Sequence, residues 1–296
     1  MKHVKLLTLS VVTASITFTA CNNTSNNTTN QEKDTVAQNA MNSEARKVFY
    51  SLPSPMELSS LLQKSGSKFD KANLHDLKAV DHYNTNDSRA LNLGVYGADL
   101  SYTSVFDQTQ ETMQYLKAAQ KLSDALGISS AFNKDVVERI QTNMNNKDSL
   151  MNIISDSYLE TDAFLNENER QNISALIISG GWIEGLYLAS KMAYVAPKNE
   201  VLLGRIAEQK LSLDNLLGLL SAYQQHESVK DLTLKLNELK EIFATIDLST
   251  GESTVSVDPK TKTTTIGSDA KSNTLNEEQL KKIASKVAEI RTAITK

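Results

Sequence analysis

Residues 227–246, ESVKDLTLKLNELKEIFATI, and residues 277–294, EEQLKKIASKVAEIRTAI, decide the fold class. In the first, Leu232, Leu236, Leu239, Phe243 and Ile246 recur at intervals of four and three residues. Leu280, Ile283, Val287, Ile290 and Ile294 do the same in the second. That is the period of an α-helix burying one stripe, and a strand would instead alternate every second residue.

The same period extends back to Ser54. Ser54-Pro55-Met56-Glu57 supplies a cap, a proline at the first helical position and an acid at the third, opening a helix to about Lys64. A short helical stretch is expected from Leu74 to Val80, and the polar run His82 to Asp87 breaks it. Ser88–Phe106 and Thr109–Leu126 read as one long helix or two in tandem, closed by Gly127. Asn133 caps another, carrying Val136, Val137, Ile140 and Met144, with a break expected near Asn145-Asn146. Apolar residues resume at Met151, Ile154 and Tyr158. Asn166-Glu167-Asn168-Glu169 reads as a capping box for a helix running to Val195, before Pro197. Leu202, Ile206, Leu213, Leu216, Leu217 and Leu220 mark the next. One segment departs from helix: Thr254–Val257, a turn at Asp258-Pro259, then Thr263–Ile266 read as a β-hairpin, or else as a long connector. The expected fold is all-α, a single helical bundle of about seven or eight helices with a small β-hairpin insertion near residues 253–267.

The chain has 296 residues, 31 Lys+Arg against 35 Asp+Glu, and one Cys. A net charge of −4 disfavours nucleic acid, which calls for a basic surplus or stripe. One cysteine excludes a disulfide framework and cysteine-based metal knuckles. Three histidines follow residue 20, and His75 and His82, seven apart, would lie about 10.5 Å apart along a helix, too far to share an ion unaided. No Glu-x-x-His, His-Glu-x-x-His, calcium loop, phosphate loop, dinucleotide fingerprint or Gly-x-Ser-x-Gly occurs. No cofactor or metal is implied, and the reading favours a non-enzymatic protein.

The N-terminus carries an address. Lys2 and Lys5 precede the short apolar run Leu6–Ala20, and Phe18-Thr19-Ala20 leads into Cys21. Residues 1–21 resemble the lipobox of bacterial lipoproteins, with Phe18 where an aliphatic residue is usual. The resemblance implies cleavage after residue 20, lipidation (including palmitate) of Cys21, and a membrane anchor of great strength, at about 0.8 kcal/mol per buried methylene. Asn22, rather than Asp, resembles the sorting pattern of outer-membrane lipoproteins in Gram-negative cells. Residues 21–42 are dominated by Asn and Thr and read as a disordered tether, so that residues 43–296 make the helical domain.

Two segments place glycines, an acid and tyrosines inside helices: Gly94-Val-Tyr-Gly-Ala-Asp-Leu-Ser-Tyr102 and Ser179-Gly-Gly-Trp-Ile-Glu-Gly-Leu-Tyr187. Glycine there costs about 1 kcal/mol against alanine, which points to close approach of another backbone. Aligning Asp99 with Glu184 places Tyr102 on Tyr187, a shared acid-to-tyrosine spacing of three. Packed together, the four side chains would form a polar nest. It reads either as a ligand site anchored by Asp99, Tyr102, Glu184 and Tyr187, or as acids satisfied inside a packed core. Trp182 reads as core. Residues Ile173–Ala196 are apolar enough to suggest a membrane span, but Glu184 and Lys191 favour a buried central helix.

The first of these segments is similar to one in helical lipoproteins of Bacteroidota. The resemblance bears on address and fold and implies no activity. Two functions are therefore expected to compete. One is a lipid-anchored protein that binds an envelope protein or a small ligand. The other is a helical-bundle enzyme using Asp99 and Glu184 as an acid/base pair.

Overall fold

Both stripes are helices in the computed structural model, which describes residues 55–128, 133–248, 253–257, 264–268 and 275–296. The α-helices are α1 (Pro55–Lys64), α2 (Asn86–Val105), α3 (Thr109–Leu126), α4 (Lys134–Thr142), α5 (Lys147–Glu167), α6 (Gln171–Val195), α7 (Glu200–Ser221), α8 (Glu227–Ala244) and α9 (Glu277–Ile294). Two 3₁₀ turns, Lys71–Asn73 and Leu77–His82, join α1 to α2. The fold is all-α. The expected signal segment, Cys21, the expected tether and the expected domain start at residue 43 lie outside the described residues.

Nine α-helices stand among the described residues, more than the seven or eight expected. Two short breaks account for the excess. Asp107 takes a left-handed φ of 59° and separates α2 from α3, while Asn143–Asn146 separates α4 from α5, with the Asn146 side chain capping Ser149 N–H. Between α8 and α9, the backbone of Ser253–Val257 (β1) pairs antiparallel with Thr264–Ser268 (β2), Val255 opposite Ile266.

Local chemistry sets most of the helix ends. Thr85 and Ser88 exchange capping hydrogen bonds at α2, and Asn276 and Gln279 do so at α9. Gly127 ends α3 at φ 69°. The expected capping box at residues 166–169 does not form. Instead α5 continues through Glu167, Asn166 donates back to the Asp162 carbonyl, and Glu169 turns the chain at φ 57°. Helix α6 then starts at Gln171 without a side-chain cap.

The bundle is organised around the crossing of α2 and α6. A Cβ on Gly94 would overlap the carbonyl oxygen of Ile177 and lie 2.6 Å from the Gly181 nitrogen, and one on Gly180 would overlap the carbonyl oxygen of Leu91. The two backbones therefore touch, and only hydrogen fits between them. Helix α6 is long and apolar enough to cross a membrane, yet 89% of its apolar window is buried against the other helices. Trp182 sits in that core, its Nε1–H donating to Gln209 Oε1 at 3.2 Å.

Candidate functional site

Because α2 and α6 cross in backbone contact, the acids carried beside their glycines meet in the centre of the molecule. Asp99 and Glu184 are both 0% exposed. Asp99 Oδ2 accepts the backbone N–H of His75 at 3.0 Å, while Oδ1 is buried with no donor on it. Glu184 is held by Arg291 of α9 through two parallel bonds, Nε to Oε2 at 2.5 Å and Nη2 to Oε1 at 2.8 Å. Arg291 also donates to the Asn73 carbonyl at 3.4 Å and lies 4.2 Å from the centre of the Tyr187 ring.

Three ionisable groups so placed settle on one proton arrangement. Burial drives the Asp99 carboxyl well above the carboxylate range, the neighbouring Glu184 charge adds to this, and the His75 N–H and Arg291 oppose it. Burial also raises Glu184, against the opposing charge and hydrogen bonds of Arg291. Burial disfavours charge on Arg291, and the Glu184 carboxylate more than offsets that. Burial therefore favours the neutral form of Asp99, while Glu184, held by two bonds from the guanidinium, carries the charge. The cluster is neutral overall.

Phenols and one imidazole enclose it. His75 Nε2 and the Tyr83 hydroxyl are 2.7 Å apart, the Tyr115 hydroxyl donates to the His75 carbonyl at 2.6 Å, and the Tyr96 hydroxyl donates to the Asp76 carbonyl at 2.8 Å. Burial first, and then the Arg291 charge, hold the His75 pKa down from 6.5 to about 4. The sign follows. Between pH 6.5 and 4 the unfolded chain binds a proton that folded His75 refuses, so folding is progressively disfavoured on acidification. His75→Gln is expected to remove this loss, by about 3 kcal/mol near pH 4. Urea midpoints for both proteins at neutral and acid pH would check it, and parallel curves would refute it.

Of the four residues singled out from sequence, the two acids come together and the two tyrosines do not. The Tyr102 hydroxyl accepts the Asp70 N–H at 3.0 Å and its ring stacks on Phe69 at 5.3 Å, away from the carboxylates. Tyr187 covers Arg291 and faces a surface groove. That groove, about 380 Å³, runs between the C-terminal half of α6 and α9, with Asp70 and Asn73 also lining it. Neither Asp99 nor Glu184 lines it. Sequence reasoning missed Arg291 and His75. Arg291 had a signal: it lies four residues after Val287 and three before Ile294, on the flank of the buried stripe.

Comparison of the chain with protein-family models, with curated protein sequences and with solved structures returned no match.

Proposed function

We propose that this is a lipid-anchored, non-enzymatic protein of the cell envelope, held through Cys21 at the outer membrane, and that it binds a small ligand in the groove between α6 and α9. The groove carries this reading. Its volume falls at the small end of ligand sites, roughly 300–1,000 Å³, and it combines rings with a few convergent polar groups. Tyr187 is the residue shared with the site expected from sequence. The acid pair supports the reading by being unsuited to catalysis: a general acid or base must reach the proton it moves, and both carboxyls are wholly buried, with Glu184 tied to Arg291.

The experiment is native mass spectrometry of the full-length protein, gently extracted from its own membranes. The expected species begins at Cys21, carries acyl mass, and holds a further non-covalent mass that Tyr194→Ala removes. Acyl mass without any bound molecule would count against the groove, and a chain without acyl mass would overturn the anchor.

A further inference from the structure

Four observations about the groove converge on the chemistry of its occupant. The first is charge. In a chain of net charge −4, the groove brings together Lys191 of α6 and Lys281 of α9, both exposed and neither ion-paired with a carboxylate among the described residues. The one acid at the groove, Asp70, is occupied: Oδ1 accepts the Ala72 N–H at 2.9 Å and Oδ2 the Asn73 side-chain amide at 3.4 Å. Its charge remains, so two lysines against one carboxylate leave the groove with a net positive charge on a negative molecule, which draws anions by field as well as by contact.

The second is an unanswered polar group. Ser190 is 1% exposed and lines the groove, and its Oγ has no hydrogen-bond partner among the described residues. Helical serines ordinarily bond back to the carbonyl four residues earlier, as Ser179 does to Ala175. An unpartnered buried hydroxyl costs stability, and a ligand that bonds it relieves that cost.

The third is the pair of rings. Tyr187 and Tyr194, seven residues apart on α6, share a face at about 10.5 Å along the axis, and Lys191 lies between them with its ammonium 5.4 Å from the Tyr187 ring centre. Arg291 packs on Tyr187 from the core, so that ring is fixed, while Tyr194 is 58% exposed and offers a free apolar face. The fourth is openness. The groove is rimmed by a hydroxyl and an amide (Ser285 and Asn73) and faces solvent. A fatty acid or other long apolar ligand would need an enclosed apolar pocket. A body bearing hydroxyls that stacks on tyrosine does not.

We infer that the groove binds an anionic sugar, with a ring against Tyr194, its carboxylate or phosphate between Lys191 and Lys281, and a hydroxyl on Ser190. This rests on the groove being the binding site, and the test separates the two claims. Isothermal titration calorimetry of the full-length protein in detergent would compare trigalacturonate, glucose 6-phosphate, maltotriose and inorganic phosphate. One of the two anionic sugars is expected to bind at least about tenfold more tightly than maltotriose and inorganic phosphate, and which one it is identifies the anion. Lys191→Met and Lys281→Met should each weaken that binding about tenfold, at unchanged melting temperature because both side chains are exposed; Lys282→Met, outside the groove and paired with Glu278, should not. Inorganic phosphate binding as tightly as glucose 6-phosphate, with trigalacturonate no tighter than maltotriose, would overturn the sugar. Equal binding of maltotriose would overturn the anion while leaving the groove standing. Binding of every probe weaker than about 1 mM would overturn the ligand class, and the groove would then stand or fall on whether Tyr194→Ala strips the native bound mass.

Discussion

Arg291→Met is expected to lower stability by about 3–5 kcal/mol at neutral pH. The loss comes mainly from what is left behind. Glu184 is wholly buried and its charge is matched by this guanidinium through two bonds. Without Arg291, it is left against Asp99, itself a buried carboxyl that burial already drives towards its neutral form. The variant must then protonate Glu184 as well or break the α2–α6–α9 packing. The pH dependence has a definite sign. Removing the cation lifts the Glu184 pKa further above its unfolded value, so the stability of the variant is greatest in acid and falls as pH rises through the raised pKa. The difference from wild type should accordingly shrink towards pH 4 and widen towards pH 8. A double variant, Arg291→Met with Glu184→Leu, should recover most of the loss, because a buried ion pair replaced by packed apolar groups is often near neutral. Urea titrations across that range would decide it. A cost for Arg291→Met that is small and flat with pH would mean that Glu184 is not charged in the native protein.

The second large effect belongs to the crossing of α2 and α6. Gly94→Ala and Gly180→Ala should each cost at least about 3 kcal/mol, the upper end of what overpacking usually brings. The added methyl meets a backbone carbonyl in both cases, Ile177 for Gly94 and Leu91 for Gly180, and a backbone held in a helix cannot step aside as the tip of a side chain can. Gly218 provides the comparison. It lies in α7 with open space where its Cβ would be, so Gly218→Ala should stabilise by about 1 kcal/mol through helix propensity alone. Thermal unfolding of the three variants reads both signs at once. Tolerance of alanine at Gly94 and Gly180 would show that the helices have freedom to separate.

How far the sequence carried the reading depends on the range of the interaction. The stripes of α8 and α9 were legible because helix period is a local property. So was the meaning of the glycines beside Asp99 and Glu184, since glycine inside a helix has few reasons other than close approach. The fate of the tyrosines was not legible. A residue three positions after an acid sits about 60° round the helix, so when Asp99 and Glu184 point straight across the crossing, Tyr102 and Tyr187 fall to its flanks. Tyr102 joins the Phe69 cluster and Tyr187 reaches the surface. Nor could the partner of Glu184 be read, because Arg291 lies 107 residues further on and nothing in either local sequence names the other. The capping box at residues 166–169 failed for a comparable reason: α5 gained another turn from Asn166 and Asp162, and the local pattern was overridden.

That separation of 107 residues also orders events in time. A ribosome working at roughly 5–20 residues per second delivers Arg291 about 5–20 seconds after Glu184. Throughout that interval α2 and α6 bring two acids together with no cation to balance them, so the centre of the bundle stays open until α9 arrives. A nascent chain of this design is slow to lock, and it stays loose until α9 has been made.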